Sequence, residues 1–388
     1  MLFTNLMSVD EARERLLSRV RQFGRDDVES VPLELAHGRV LAEDISSEID
    51  IPHYSRAAMD GYAVRSADVS GASRTNPVIL RLGEQARWVH TGDAVPEGFD
   101  AVVKVEDTEE FDGLVAVYKP VRKYENIGLA GEDLRAGDRI AEKGTLLRAH
   151  HLALLRSAGV EEVEVFRRPR VLVIPTGDEL VRPGERLVPG KVYESNGIMI
   201  SSYLKEWGAS PEVTDIVPDS RDELESILNL ADSYDLVVTT GGTSVGKRDI
   251  IYPVLGDIGE VLFRGISLRP GKPTVGAVVG STPVLALPGF PAACVASAYL
   301  LLRPAIRRML HVNGDVSFFA KLSDSVYSKP GFTSFVRLSV DFETMLARPV
   351  SSYGSGILSS ITKANCYTII DENTEVVEAG EMVRVYPL

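Results

Sequence analysis

The stretch 237–249, VVTTGGTSVGKRD, runs an apolar strand pattern into a glycine-rich turn whose spacing from Gly241 is G-x-x-x-x-G-K. Such a turn exposes backbone N–H groups at the positive end of the following helix, which makes a cradle for anions. In a nucleotide-binding P-loop the next residue is Ser or Thr, whose hydroxyl holds Mg²⁺. Here it is Arg248, followed by Asp249. The residue types argue against a P-loop ATPase. They leave an anion cradle of another lineage, or a turn in which glycine serves geometry alone.

Cations and carboxylates complete the constellation. The segment RGISLRPGKP sets Arg264, Arg269 and Lys272 within nine residues among Pro and Gly. Charges on so rigid a backbone form a clamp for a polyanion, against the alternative of ordinary solvated surface charge. The acids are Asp60 in AAMDGYAV, Asp178 and Glu179 in TGDEL, Asp219 in VPDS, and Asp249. An Asp beside Gly is commonly a turn residue. Asp60 differs, because apolar residues on both sides predict a carboxylate held in a constrained place. Carboxylates beside an anion cradle make chemical sense when Mg²⁺ bridges them to phosphate. The turn TGDAVPEG adds Thr91 and Asp93, with structural and functional readings evenly balanced. The six histidines show no metal-binding spacing, and no Gly-x-Ser-x-Gly nucleophile elbow occurs.

These residues need elements to position them. PRVLVIPTGDEL, YDLVVTTGG and TPVLALPG read as buried strands. They alternate with the helical patterns SNGIMISSYLKEWGA, SRDELESILNLADS, DIIYPVLGDI and PAACVASAYLLLRPAIRRML. Alternation of this kind predicts a mainly parallel sheet with helices on both faces. The loops PTGDEL, VPDS, TTGGTSVGKRD and LPGFP then all fall at the carboxyl edge of the strands, where ligands bind in such sheets. Ser195 or Asn196 is the expected cap of the first of these helices, and Gly208 its stop. Ser8 and Glu11 form a capping box for a helix over 8–23 that places Ala12, Leu16, Val20 and Phe23 on one face. A further helix is expected over 150–158. Short, turn-rich alternating segments between about 50 and 145, and again from about 313, predict β domains.

Length and composition bound the rest. A chain of 388 residues is too long for one ordinary core. With 42 Lys and Arg against 55 Asp and Glu, the net charge of −13 argues against general binding to nucleic acid or acidic membranes. The two cysteines, Cys294 and Cys366, sit in apolar stretches and read as small buried hydrophobes of a reducing cytoplasm. Asp10 and Glu11 fall where a signal peptide needs its apolar core, and the longest apolar run is too short to span a bilayer.

Taken in order, SRAAMDGYAV, HTGDAVPEGFDAVVKVEDTEE, GEDLRAGD, PTGDEL, YESNGIMI, TTGGTSVGKRD, LRPGKP, LPGFPAA and GSGILSS resemble the motifs of the molybdopterin molybdenumtransferase family, which includes the E domain of gephyrin. The resemblance runs from about residue 8 to the C-terminus. It implies a multidomain α/β plus β fold: a central three-layer α/β domain with a mainly parallel sheet, an N-terminal β-rich domain and a small C-terminal β-barrel-like domain. The expected boundaries are 1–48 with 145–167, 49–144, 168–312 and 313–388.

The activity it implies is insertion of molybdate into the dithiolene of adenylylated molybdopterin, with Mg²⁺-assisted release of AMP. A homodimer is implied, with the N-terminal β domain supplied to the partner's cleft. The hand-over partners implied are a molybdopterin adenylyltransferase and acceptor molybdoenzymes. Position by position, the family's acids match Asp60, Glu179, Asp219 and Asp249, with Thr91 as the threonine of the TG loop. Gly241, Gly242, Ser244 and Gly246 are the expected cradle for pterin or phosphate. Lys272, Pro288, Pro291 and Ser355 also match ligand-binding positions, and Arg269 stands where Lys is common. Glu179 and Asp249 are the expected Mg²⁺ ligands. Phe290 replaces a frequent Asn or Tyr and Ala57 a frequent Ser; the first departure leaves tungstate as an alternative oxyanion. The alternatives for the whole chain are a molybdopterin adenylyltransferase and a non-enzymatic, gephyrin-like scaffold.

Overall fold

A computed structural model describes residues 6–243, 250–350 and 356–388. The chain divides into two compact units, one comprising Met1–Glu29, Gly38–Ala42 and Val165–Leu388, the other Ser30–His37 and Glu43–Glu164.

In the larger unit the first helix, α1 (Val9–Arg19), begins where Ser8 Oγ accepts the Glu11 N–H at 3.2 Å, with Asp10 and Glu11 at the positive end of its dipole. Ala12 and Leu16 are fully buried, and Val20 and Phe23 continue that buried line just past the helix end.

The central sheet uses six strands: β1 (Arg170–Pro175), β2 (Ser210–Val213), β3 (Leu236–Thr240), β4 (Gly259–Arg264), β5 (Val275–Val279) and β6 (Thr282–Leu287). Their order is β2-β1-β3-β6-β5-β4. The first four run parallel, with Val173 opposite Val238 and Val238 opposite Leu285, while β5 and β4 join antiparallel. β3 and β6 are buried at every position because both sheet faces are covered. Alternate residues divide between two cores, since successive side chains leave a strand on opposite sides. Val171, Val173, Val238 and Leu285 face one, and Leu172, Ile174, Val237 and Val284 face the other.

The connecting helices are α2 (Asn196–Glu206), α3 (Arg221–Leu228) and α4 (Ile251–Ile258), followed after β6 by α5 (Pro291–Ser297). The last apolar helix is not uniform. It passes through a π-helical segment, Ala298–Leu302, into Arg303–Met309. Pro304 lacks an N–H and its ring would clash with the carbonyl four residues back, so a wider turn just before it relieves the conflict.

The same unit ends in a closed five-stranded barrel-like sheet. Phe318–Leu322, Thr333–Asp341, Leu346–Pro349, Cys366–Ile370 and Met382–Pro387 form it, closed by pairing of Thr333–Asp341 with Cys366–Ile370. Cys294 and Cys366 are free and buried, as expected of small hydrophobes.

The smaller unit is β-rich. Gly61–Val64 lies between Ala86–Val89 and Ala101–Lys104, and Leu114–Val117 lies between Val78–Arg81 and Thr108–Phe111, all antiparallel. A helix, Ala149–Ser157, follows. The fold class expected from the sequence holds throughout.

Candidate active site

In the larger unit the carboxyl ends of β1, β2, β3 and β6 are laced together by backbone hydrogen bonds. Thr176 N donates to Thr240 O at 2.9 Å, Gly177 N to Val217 O at 3.0 Å and Gly241 N to Leu287 O at 3.1 Å. Gly241 has φ +104°, and a Cβ there would lie 2.2 Å from Thr176 O. Glycine is therefore required by backbone approach as well as by conformation. Its N–H is committed to the sheet, so Gly241 shapes the cradle rather than donating to a ligand. Gly242, at φ +64°, packs a bare Cα against Ile251.

A pocket of about 690 Å³ opens over this edge. Glu179, Gly241, Gly242, Lys272, Pro288 and Pro291 line it, so six of the expected residues from four separate loops converge. Gly177, at φ +151°, leaves room for the Glu179 carboxylate to fold back; a Cβ there would sit 2.7 Å from its oxygen. Lys272 is carried on a fixed loop. Thr274 Oγ1 donates to Gly271 O at 2.7 Å and pairs with Ser297 Oγ at 2.7 Å, both buried. Pro291 starts α5, where its missing N–H is not needed. Phe290 lines the pocket and is itself 63% exposed.

Two expected residues lie elsewhere. Asp219 adjoins the rim: its N–H donates to Asp178 Oδ1 at 3.0 Å, which ties the VPD and TGD turns together. Arg269 is exposed on a short strand, Leu268–Arg269, paired with Thr333 and Ser334. It lines a second cavity of about 490 Å³ that also includes Lys329 and Arg337. The Pro270–Gly271 turn thus sends the two cations of RPGKP to different places. Ser244, Gly246, Asp249 and Ser355 lie outside the described residues.

Ser195 occupies the N-cap position of α2, as expected, but the capping bond comes from elsewhere. Ser195 makes no capping bond; Glu194 Oε1 accepts the Gly197 N–H at 2.6 Å instead. Asn196 is the first residue of the helix and turns its side chain away, its Nδ2 donating to Gly289 O at 2.7 Å, 93 residues away. Thr176, Glu194, Asn196 and Thr240 all line the pocket and were not singled out by sequence reasoning. All four fall within the quoted motifs PTGDEL, YESNGIMI and TTGGTSVGKRD, although none was assigned a ligand-binding role there.

In the smaller unit, Asp60 Oδ1 accepts two hydrogen bonds from Thr91, from N at 2.6 Å and from Oγ1 at 3.0 Å. His90 Nδ1 stands 4.0 Å away. The Thr91 N–H, then its hydroxyl, hold the Asp60 carboxyl below the ordinary range. Register brings them together: Gly61 pairs with Val89, which sets Asp60 opposite His90 and within reach of Thr91, the next residue. Gly61 itself has φ +154°, and a Cβ would lie 2.0 Å from Val103 O. The carboxylate is constrained, as the flanking pattern predicts, yet its side chain remains 55% exposed.

Among the described residues no group of three or more His, Cys, Asp or Glu could hold a metal by itself. Mg²⁺, however, typically binds through one or two carboxylates plus substrate phosphates. Glu179, at a pocket with Lys272, fits that mode; the other lining carboxylate, Glu194, is engaged by the Gly197 N–H. No helix among the described residues is long and apolar enough to cross a membrane.

An α/β domain with a ligand pocket at its strand ends, a β-rich N-terminal region and a closed C-terminal barrel define a class of molybdenum cofactor biosynthesis transferases, and the comparisons agree. Three family models tile the chain: "MoeA N-terminal region (domain I and II)" over 7–159, "Probable molybdopterin binding domain" over 172–308, and "MoeA C-terminal region (domain IV)" over 320–388. The molybdopterin molybdenumtransferase of Staphylococcus aureus is 32% identical over 403 residues, covering 98% of this chain and 95% of that protein. A crystal structure of the molybdopterin biosynthesis moeA protein from Pyrococcus horikoshii superposes with a TM-score of 0.86 at 31% identity, covering 99% of this chain and 100% of that one. Another crystal structure of a molybdopterin biosynthesis moeA protein from the same organism gives 0.82 at 33% identity, covering 99% of each chain. The chain belongs to the MoeA family.

Proposed function

We propose that this protein is a molybdopterin molybdenumtransferase, which takes adenylylated molybdopterin and molybdate, transfers the metal to the dithiolene and releases AMP. The observation that carries the reading is the convergence of Glu179, Gly241, Gly242, Lys272, Pro288 and Pro291 on one pocket at the strand ends. That pocket has the size of a small-molecule site. A lysine and a glycine-rich turn suit the phosphates, and apolar walls from Leu180 and Phe290 suit a flat ring.

Glu179, with Asp249, would hold Mg²⁺, which when bound supplies positive charge to the phosphate of the departing AMP. Lys272 neutralises the same anion from the fixed PGKP loop. Asp60, kept ionised and oriented by Thr91, provides a carboxylate for the oxyanion-dependent cleavage. In the homodimer that the family resemblance suggests, Asp60 and Thr91 of one copy serve the pocket of the other. The four-part division 1–48 with 145–167, 49–144, 168–312 and 313–388, and a cytoplasmic setting, belong to the same proposal. An adenylyltransferase would act through the α/β domain alone and leave the matched N-terminal region without a task.

The test is AMP release from adenylylated molybdopterin by wild-type protein and by Glu179→Gln. Release that depends on molybdate and falls in the variant supports the proposal; equal release by both removes Glu179 from it.

A further inference from the structure

Two residues that line the pocket carry buried side-chain oxygens that nothing among the described residues bonds. Thr240, 2% exposed at the end of β3, has an Oγ1 with no hydrogen-bond partner there. Asn196 is 9% exposed, and its Oδ1 is likewise without a partner among the described residues. The amide orientation is fixed, because Nδ2 donates to the Gly289 carbonyl at 2.7 Å. Both residues line the pocket. The turns that carry them meet: Asn196 bonds the Gly289 carbonyl, and a Cβ on Gly289 would lie 3.4 Å from the Cα of Gly241, the residue after Thr240.

Buried acceptors left unbonded are unfavourable, and native proteins keep few of them. When such atoms line a cavity, a ligand donor completes them. An amide oxygen accepts only, and a threonine hydroxyl both accepts and donates. The Asn196 amide oxygen therefore disfavours phosphate and oxyanion and selects an N–H group, the Thr240 hydroxyl can accept beside it, and Lys272 serves the anionic part of the ligand.

We propose that Asn196 Oδ1 and Thr240 Oγ1 are the specificity-determining pair that reads the N–H donor edge of the pterin. The inference rests on the proposed function, which supplies two flat heterocycles in one substrate, the pterin and the adenine of its AMP moiety. The pyrimidinone edge of a pterin presents an amide N–H and an adjacent exocyclic amino group, two donors side by side. Adenine presents its amino group flanked by ring acceptors. Two acceptors in one pocket match the first.

The experiment titrates molybdopterin and AMP separately into wild type, Thr240→Val and Thr240→Ser under anaerobic conditions, with calorimetric affinity and Tm as readouts. Thr240→Val keeps the shape and removes only the hydroxyl. It is expected to weaken molybdopterin binding about tenfold, as for loss of one buried hydrogen bond. AMP affinity should be unchanged, Thr240→Ser should restore binding, and Tm should not fall, because no bond within the protein is lost. Asn196→Ala should also weaken molybdopterin, with a lower Tm because the Gly289 carbonyl loses its donor. Wild-type affinity for molybdopterin in Thr240→Val overturns the inference, as does a loss that falls on AMP or a clear drop in its Tm. The two readings separate cleanly. Pair-dependent molybdopterin binding by a protein that never releases AMP with molybdate sinks the proposed function and leaves the pair standing. AMP release that is indifferent to Thr240 does the reverse.

Discussion

Asp60 and Thr91, 31 residues apart, form a two-point contact in which one carboxylate oxygen receives both the backbone N–H and the hydroxyl of the threonine. The pair fixes a carboxylate that would otherwise rotate freely at an exposed strand start. Because these bonds favour the charged form, the carboxyl titrates below its ordinary value. Their contribution is complete above the ordinary carboxylate range and is lost as pH falls through the lowered value. In Thr91→Val the larger cause, the backbone N–H, survives. Its Asp60 midpoint should rise only part of the way to the ordinary value in a carboxyl NMR titration. Asp60→Asn should slow molybdate-dependent AMP release on the order of 10²-fold with the fold intact; an unslowed variant removes Asp60 from the chemistry.

Shared sites predict complementation. Asp60→Ala and Glu179→Ala proteins should each be nearly inactive. After subunit exchange, half of the dimers are mixed and carry one whole site, so activity should recover to about a quarter of wild type. No recovery after demonstrated exchange places Asp60 and Glu179 in service of the same copy.

Two glycines make a matched pair of stability tests. Gly241→Ala meets Thr176 O at 2.2 Å at a φ of +104° and should destabilise by about 2 kcal/mol or more in denaturant unfolding. Gly256, inside α4 with nothing within 4 Å of an added Cβ, should gain about 0.5–1 kcal/mol as alanine. The opposite ordering would contradict the geometry of the turn after β3.

Asp27 is a buried carboxylate gripped by Arg21 at 2.6 and 2.9 Å, by Arg167 at 3.1 Å and by the Gly24 N–H at 2.9 Å. The Arg21 hydrogen bond is the main reason its pKa is lowered to about 2. A depressed carboxylate stabilises above its unfolded pKa and loses that contribution as pH falls through the folded value. Asp27→Asn should therefore lose about 2 kcal/mol at pH 7. The gap from wild type should close between about pH 4 and pH 2. A gap independent of pH would show that packing, not charge, is what the substitution removes.

Much of this was legible in the chain. β3 and β6 could be read as buried parallel strands because LVVTT and TPVLAL are continuous short apolar runs ending in glycine turns, and α1 because Ser8 caps an amphipathic repeat. The convergence of Glu179, Gly241 and Pro288 followed from placing every strand-end loop at one edge. What could not be read depends on contacts distant in sequence. Asn196 reaches Gly289, and it is Glu194, not Ser195 at the N-cap, whose side chain accepts the Gly197 N–H. Arg269 and Lys272 part company because of a turn whose direction the composition does not encode. The π-helical segment before Pro304 reflects a backbone conflict inside what reads as one apolar helix.

The most direct measurement is metal transfer itself. Protein with Mg²⁺ and adenylylated molybdopterin would be given molybdate, tungstate or no oxyanion, and AMP and pterin-bound metal followed in the same samples. The account predicts AMP release only with an oxyanion, one metal retained on the pterin for each AMP released, and the rank of molybdate over tungstate giving the natural substrate. AMP released at the same rate without oxyanion, or no AMP from a folded protein that binds the adenylate, would contradict it.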